Sequence, residues 1–140
     1  MLSNNLTLVF VYGTLKPGGY YHKTYCGEFF FEAQEATIRG SLFDFPQLGY
    51  PGAVEDQNGV IRGFLLKFRH PQEVVLSKLD HLEGYDPNRL PEENEYYRKT
   101  VSVLDDSELV ITDNAWCYFM RREKISDLRG VPVPDGHWQG

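Results

Sequence analysis

The fold is constrained first by a short apolar run near the start of the chain that ends abruptly in glycine. Residues 6–12 read Leu-Thr-Leu-Val-Phe-Val-Tyr, and Gly13 follows directly. A run of this length, rich in β-branched and aromatic residues, is typical of a buried β-strand and is far too short to span a bilayer. The sequence therefore predicts an interior first strand that stops at Gly13, with the fold built around a sheet.

Further strand-like segments follow, separated by turn residues. They are residues 29–32, 36–43, 60–68, 96–104 and 109–120. Gln57-Asn58-Gly59 and Asp105-Asp106-Ser107 are turn sequences. In the last segment, Trp116, Tyr118 and Met120 alternate and are expected on one face. Sheet is therefore the dominant element that the sequence predicts.

One segment, residues 71–82, has the periodicity of a helix. Pro71 suits the first helical position, and Gly84 can close the end. The apolar stripe consists of Val75, Leu79 and Leu82. Several short strands with one clear helix favour a mixed sheet that curls into a small barrel-like α+β fold, and the absence of a linker or repeat predicts a single domain over residues 1–140.

Two stretches are predicted to be irregular. Residues 86–95 contain two prolines and four acidic residues, which is unusual for a plain connection and indicates a flap or rim. The last twenty residues or so are polar and rich in proline and glycine, so they are expected to be mostly coil, with Trp138 as an anchor to the domain.

Charge and composition exclude several classes of function. The net charge of −6 repels phosphate backbones and anionic membranes, so neither nucleic acid nor a membrane is an expected partner. The first residues lack the basic start of a signal peptide, which predicts a cytoplasmic protein. Cys26 and Cys117 form no CxxC pair, which fits buried thiols in a reducing compartment.

The sequence contains no motif that indicates metal-dependent or serine-hydrolase chemistry. The four histidines form neither an HxxxH nor an HExxH pair, and no serine lies in a GxSxG context. We therefore expect no metal site. The sequence does not indicate an oligomeric state.

The end of the first strand is one candidate binding site. In Tyr12-Gly13-Thr14-Leu15-Lys16, a sharp turn presents consecutive backbone N–H groups, and Gly13 is free to adopt positive φ and to let a ligand approach. Such a group of donors suits a small carboxylate. The plainer interpretation, of equal weight, is a tight turn after an interior strand. The spacing is not that of a phosphate-binding loop.

Glu83 is the candidate acid/base. It lies in the last turn of the predicted helix, where the helix dipole and the apolar neighbours Leu82 and Tyr85 would raise the pKa of its carboxyl. A general acid/base requires such tuning. The alternative is a solvated surface group, and Asp80 is the rival acid one turn earlier.

The motifs gain specificity when taken together. They are Val-Tyr-Gly-Thr-Leu-Lys at 11–16, His22, Leu-Asp-His-Leu-Glu-Gly-Tyr at 79–85 and Tyr-Arg-Lys-Thr-Val at 97–101. In this order and spacing they resemble the gamma-glutamylcyclotransferase-like superfamily, in particular its gamma-glutamylamine cyclotransferase and AIG2-like branch. The resemblance covers about residues 8 to 120.

The resemblance implies a small mixed β-barrel with flanking helices that cyclises a gamma-glutamyl amine or amide to 5-oxoproline without a cofactor. By matching position, Glu83 would be the acid/base. The backbone of Gly13, Thr14 and Leu15 would hold the α-carboxylate of the small-molecule substrate, and Tyr12 and Tyr97 would line the pocket.

Two alternatives stay open beside this expectation. One is a non-catalytic ligand-binding or regulatory protein on the same fold, and the other is a different acid/base enzyme, because folds host many chemistries. Residues 86–95 and Tyr21 depart from the pattern of the family, so the amine half of the substrate is not predicted. His22 is expected to hold the loop after Lys16 in place.

Overall fold

The computed structural model describes residues 6–13, 16 and 31–138, without the side chain of Phe31. The strands in this part of the chain are β1 (Thr7–Val11), β2 (Phe31–Arg39), β3 (Ser41–Phe45), β4 (Tyr50–Val54), β5 (Val60–Phe68), β6 (Tyr96–Leu104), β7 (Val110–Met120) and β8 (Val131–Pro132). The helices are α1 (Gln72–Glu83) and α2 (Arg122–Asp127), with a 3₁₀ turn at Pro91–Glu93.

Strands β1, β5, β2, β6 and β7 form a closed barrel in that order. Neighbouring strands are antiparallel except at the seam, where β1 and β7 run parallel and Val9 lies opposite Trp116. A separate sheet has the order β4-β3-β8. The mixed barrel that the sequence predicts is therefore confirmed.

The two faces of β1 pack into two different cores. Val9 and Val11 belong to a cluster that includes α1 and the second sheet, which identifies this face as the outside of the barrel. Phe10 and Tyr12 point the other way and pack with residues of the other barrel strands. Because both faces are covered, the first strand is almost continuously apolar, as its sequence indicates.

Helix α1 begins and ends one residue later than predicted. Pro71 is the N-cap and not the first helical residue, and Gly84 closes the C-terminus in the left-handed conformation with φ 64°. The backbone N–H of Tyr85 donates to the carbonyl oxygen of Asp80 at 2.9 Å, which completes a Schellman-type end. Val75 and Leu79 of the predicted stripe are fully buried.

The strands between β1 and β5 differ most from the prediction. Strand β2 is one long strand that extends to Arg39, and the chain turns at Gly40, where a Cβ atom would lie 2.7 Å from Cδ1 of Ile61. Positions 29 and 30 lie outside the described residues.

Strand β4 was not predicted because it contains Pro51 and Gly52, but β4 is an edge strand, where proline is tolerated.

The C-terminal region contains α2 and β8, which interrupt the predicted coil. Trp138 is buried, and its Nε1 donates to Oδ1 of Asp44 at 2.9 Å. The Nζ of Lys16 donates to the carbonyl oxygen of Trp138 at 2.6 Å. The predicted role of Trp138 as an anchor is confirmed. In the described part of the chain, none of the helices combines the length and the hydropathy that crossing a membrane requires.

Replacing Leu79 by Ala should lower the free energy of unfolding by about 2–5 kcal/mol, because it opens a cavity under α1. Ser77 lies exposed on the same helix, and Ser77→Ala should change stability by no more than about 0.5 kcal/mol. Urea unfolding of both variants measures the difference. Equal stabilities would contradict the packing of α1 on the barrel.

Candidate active site

The ends of several elements meet around a cavity of about 180 Å³. Its wall includes Tyr12 and Gly13 after β1, the start of β4, the last residues of α1, the start of β6 and Tyr118 of β7. Tyr12, Gly13 and Glu83, three of the residues that the sequence singles out, line this one cavity. Thr14 and Leu15 lie outside the described residues.

Gly13 is required for a different reason from the one expected. Its φ is not positive, but a Cβ atom at this position would lie 2.9 Å from both Cγ and Cδ of Pro51. The ring of Pro51 belongs to the cavity wall, so any side chain at position 13 would displace that wall. The backbone N–H of Lys16 donates to the carbonyl oxygen of Gly13 at 3.0 Å, so the chain turns back directly after β1.

Glu83 reaches the cavity because it is the last residue of α1, immediately before the left-handed Gly84. Part of its surface remains accessible, but protein atoms surround most of it. Burial, reinforced by the negative charges of Glu95 and Asp80, raises the pKa of the Glu83 carboxyl to about 8. The sequence predicts the direction of this shift but not the two carboxylates that contribute to it.

Asp80, the alternative candidate for the acid, has a structural role. Its carboxylate accepts hydrogen bonds from Nε and Nη2 of Arg98 at 2.9 and 3.3 Å and from the Tyr118 hydroxyl at 2.5 Å. The Arg98 guanidinium lies over the rings of Tyr85 and Trp116, at 5.3 and 4.8 Å from their centroids. Because these donors engage both oxygens, the Asp80 carboxylate ties α1 to β6 and β7.

A second carboxylate in the cavity, Glu95, was missed by the sequence interpretation. Its Oε1 accepts a hydrogen bond from the Tyr50 hydroxyl at 2.8 Å, and both residues line the cavity. In sequence it is only the last acid of a polar loop. Its one signal in the sequence was its position directly before strand β6, because side chains alternate in direction along a strand.

Tyrosine hydroxyls make up much of the remaining polar surface. The hydroxyl of Tyr12 donates to the carbonyl oxygen of Tyr118 at 2.7 Å, and that of Tyr96 donates to the carbonyl oxygen of Pro51 at 2.6 Å. Burial raises the pKa of Tyr12 and of Tyr96 well above the ordinary value. Both therefore stay protonated and hold the wall together.

Tyr97 is not part of the described lining of this cavity. Its hydroxyl donates to Oε2 of Glu55 at 2.7 Å, and its ring packs against Phe119. It borders an adjoining cleft whose wall also includes Tyr96 and Arg121. The alternation of β6 therefore directs Tyr96 to the cavity and Tyr97 to the opposite face.

Comparison with known proteins identifies the family. A family model described as gamma-glutamyl cyclotransferase, AIG2-like, matches residues 9–140. The chain belongs to this family. No curated protein matches the sequence.

Solved structures support the same fold. YkqA from Bacillus subtilis is 25% identical with a TM-score of 0.63, and the match covers 95% of this chain but 39% of YkqA. An AIG2-like protein from Mus musculus is 16% identical with a TM-score of 0.65, covering 96% of this chain and 89% of that protein. A structure titled gamma-glutamyl cyclotransferase is 17% identical with a TM-score of 0.58, covering 83% and 67%.

The raised pKa of Glu83 predicts a pH-dependent stability. The folded protein holds the Glu83 proton up to about pH 8, whereas the unfolded chain releases it near 4.5, so the wild type loses stability as pH rises between these values. Glu83→Gln carries no such proton. As pH rises from about 5 to about 9, the free energy of unfolding of Glu83→Gln should increase relative to that of the wild type by roughly 2–4 kcal/mol.

Urea unfolding at both pH values measures this shift. Glu92→Gln removes the same charge from an exposed position in the neighbouring loop and serves as the matched control. A difference between wild type and Glu83→Gln that does not change with pH would contradict the burial of this carboxyl.

Proposed function

We propose that the protein cyclises the gamma-glutamyl group of a gamma-glutamyl amine or amide to 5-oxoproline and releases the amine, with Glu83 as the general acid/base. One observation carries the proposal: a carboxyl with a raised pKa faces the same cavity as Gly13, at the end of the first strand. Family membership supports the reaction class.

In this proposal the glutamyl end of the substrate binds between the two motifs. Backbone donors at Gly13, Thr14 and Leu15 hold the α-carboxylate, and Pro51, which packs against Gly13, forms the adjoining wall. Tyr12 lines the wall. Tyr97 borders the adjoining cleft, on the far side of Tyr96, where the amine half of a substrate would leave the cavity.

The reaction joins two groups that the substrate already contains. The α-amine nitrogen attacks the γ-carbonyl carbon, a new C–N bond closes the five-membered lactam, and the bond to the departing amine breaks. Holding both groups in near-attack geometry contributes on the order of 7–11 kcal/mol in favourable intramolecular systems. Glu83 takes one proton from the α-ammonium and delivers it to the leaving nitrogen. The attacking nitrogen gives up a second proton as the lactam forms, and Glu83 passes it to the released amine, which departs as an ammonium ion, so the carboxylate is regenerated.

Purified wild-type protein should release 5-oxoproline from a panel of gamma-glutamyl amines, amino acids and peptides, and Glu83→Gln should lower kcat by about 10²–10⁴-fold because it removes proton transfer. Mass spectrometry identifies the product. Glu92→Gln is the matched control and should retain the wild-type rate, since Glu92 lies exposed and outside the cavity.

Each alternative outcome has a clear meaning. A product other than the lactam would indicate a different acid/base enzyme on this fold. Ligand binding without any product, and with the same affinity in Glu83→Gln, would indicate a non-catalytic binding protein. Full activity of Glu83→Gln would contradict the role of Glu83.

The pH profile tests the same carboxyl independently. An ammonium substrate requires ionised Glu83, and the ionised fraction of the free protein rises until the pH reaches about 8. The value of kcat/KM should therefore rise by about tenfold per pH unit below this pKa, and should fall above it as the substrate amine loses its proton. A profile that is flat from about pH 5.5 to about pH 7.5 would show that an ordinary carboxyl is responsible.

A further inference from the structure

We propose that Glu95 is a substrate-binding residue whose carboxylate, held in place by Tyr50, accepts a hydrogen bond from the α-ammonium group of the ligand, while Glu83 exchanges a proton with that group. The inference rests on the proposed function and assigns a second carboxylate of the same cavity. Its basis is the way in which the fold fixes Glu95 and leaves Glu83 open.

The two carboxylates have different surroundings. Glu95 accepts a hydrogen bond from the Tyr50 hydroxyl at 2.8 Å, which fixes the position of its carboxylate. No described residue donates a hydrogen bond to Glu83, whose neighbours in the cavity are Leu82, aromatic rings and Glu95 itself. A fixed negative charge therefore lies beside a carboxyl group that can carry a proton.

The backbone before Glu95 is clamped in place. Asn94 is 5% exposed, and its side chain both accepts from the backbone N–H of Asp86 and donates to the Asp86 carbonyl oxygen, each at 3.0 Å. Arg89 donates to the Asn94 amide oxygen at 2.7 Å and to the carbonyl oxygen of Gly84. Residues 86–95 are thus fastened to the end of α1, and Glu95 enters the cavity from a fixed position.

Two consecutive residues connect Glu95 to the proposed carboxylate site. Pro51 packs against Gly13, and the preceding Tyr50 holds Glu95. The α-carboxylate and the α-ammonium of an amino acid are bonded to one carbon atom, so the protein groups that bind them must lie close together in one stretch of the cavity wall. The start of β4 provides this stretch.

The proton balance assigns the roles. The α-ammonium arrives between Glu95 and ionised Glu83 and passes one proton to Glu83, and the free amine then attacks the γ-carbonyl carbon. Glu83 returns that proton to the leaving nitrogen, and then passes on the second proton, which the attacking nitrogen loses as the lactam forms, so that the amine departs as an ammonium ion. Glu95 keeps its hydrogen bond from Tyr50 throughout and exchanges no proton, so it affects binding more than the chemical step.

The kinetic test is Glu95→Gln, which preserves shape and removes charge. It should raise KM by about tenfold or more, the scale of one lost charge-assisted hydrogen bond, and should change kcat much less. Tyr50→Phe keeps the charge but frees the carboxylate and should have a smaller effect in the same direction. Glu92→Gln, from the same loop, should leave KM unchanged.

A binding test does not depend on turnover. In the Glu83→Gln background, calorimetric titration with gamma-glutamyl butylamide is compared with titration of its analogue that lacks the α-amine. Adding Glu95→Gln should weaken binding of the first ligand by about tenfold or more and leave binding of the second unchanged.

The outcomes separate this inference from the proposed function. If wild type releases 5-oxoproline but Glu95→Gln keeps the wild-type KM, the inference is overturned and the function stands. If no product forms but the ammonium-bearing ligand binds in a manner that depends on Glu95, the inference stands and the function fails. Equal losses for both ligands, or no binding of the ammonium-bearing ligand, overturn the inference.

Discussion

The arrangement of the site depends on one partly buried carboxylate that takes no part in the proposed chemistry. Asp80 accepts a two-pronged hydrogen bond from Arg98 and a further one from the Tyr118 hydroxyl. These bonds fix the rotation of α1 against the barrel one turn before its end. Because the helix cannot turn about its axis, its last residue, Glu83, faces the cavity and not the solvent. Removing one partner of such a pair would leave a charge without its partner, which is costly.

Three acids within this small region therefore have different properties because their partners differ. Asp80 is paired with a cation, Glu95 with a tyrosine hydroxyl, and Glu83 with no described donor. Burial raises the pKa of Glu83 to a value that suits proton transfer near neutral pH. Each of the other two also contributes its negative charge to that shift. The environment of each carboxylate, and not its chemical type, determines its role.

The sequence predicted the features that depend on local patterns. The helix and its end at Gly84 followed from apolar spacing and glycine chemistry, and the barrel strands followed from β-branched and aromatic runs. Strand β4 did not, because Pro51 is acceptable only at the edge of a sheet, and edge position is a tertiary property. The long-range partners were equally out of reach: no local signal pairs Tyr50 with Glu95.

Strand register explains why Tyr96 lines the cavity, although the sequence interpretation named Tyr97. Consecutive tyrosines at 96 and 97 have almost identical local sequence, and only the pairing of β6 with β7, where Tyr96 lies opposite Met120, decides which of them faces the cavity. A shift of one residue would exchange the two faces. The proposed role of Glu83 could be inferred from family motifs, but the walls around it depend on contacts between distant parts of the chain.

The parallel seam between β1 and β7 also has a consequence for the order in which the protein forms. Strand β1 leaves the ribosome well before β7, although β7 is one of its two neighbours in the barrel. Contacts so distant in sequence close late and slowly. A nascent chain therefore carries Tyr12 and Gly13 with an uncovered strand edge until β7 has been synthesised. The cavity is thus completed only after β7 has been synthesised, although Tyr12 and Gly13 are made well before it.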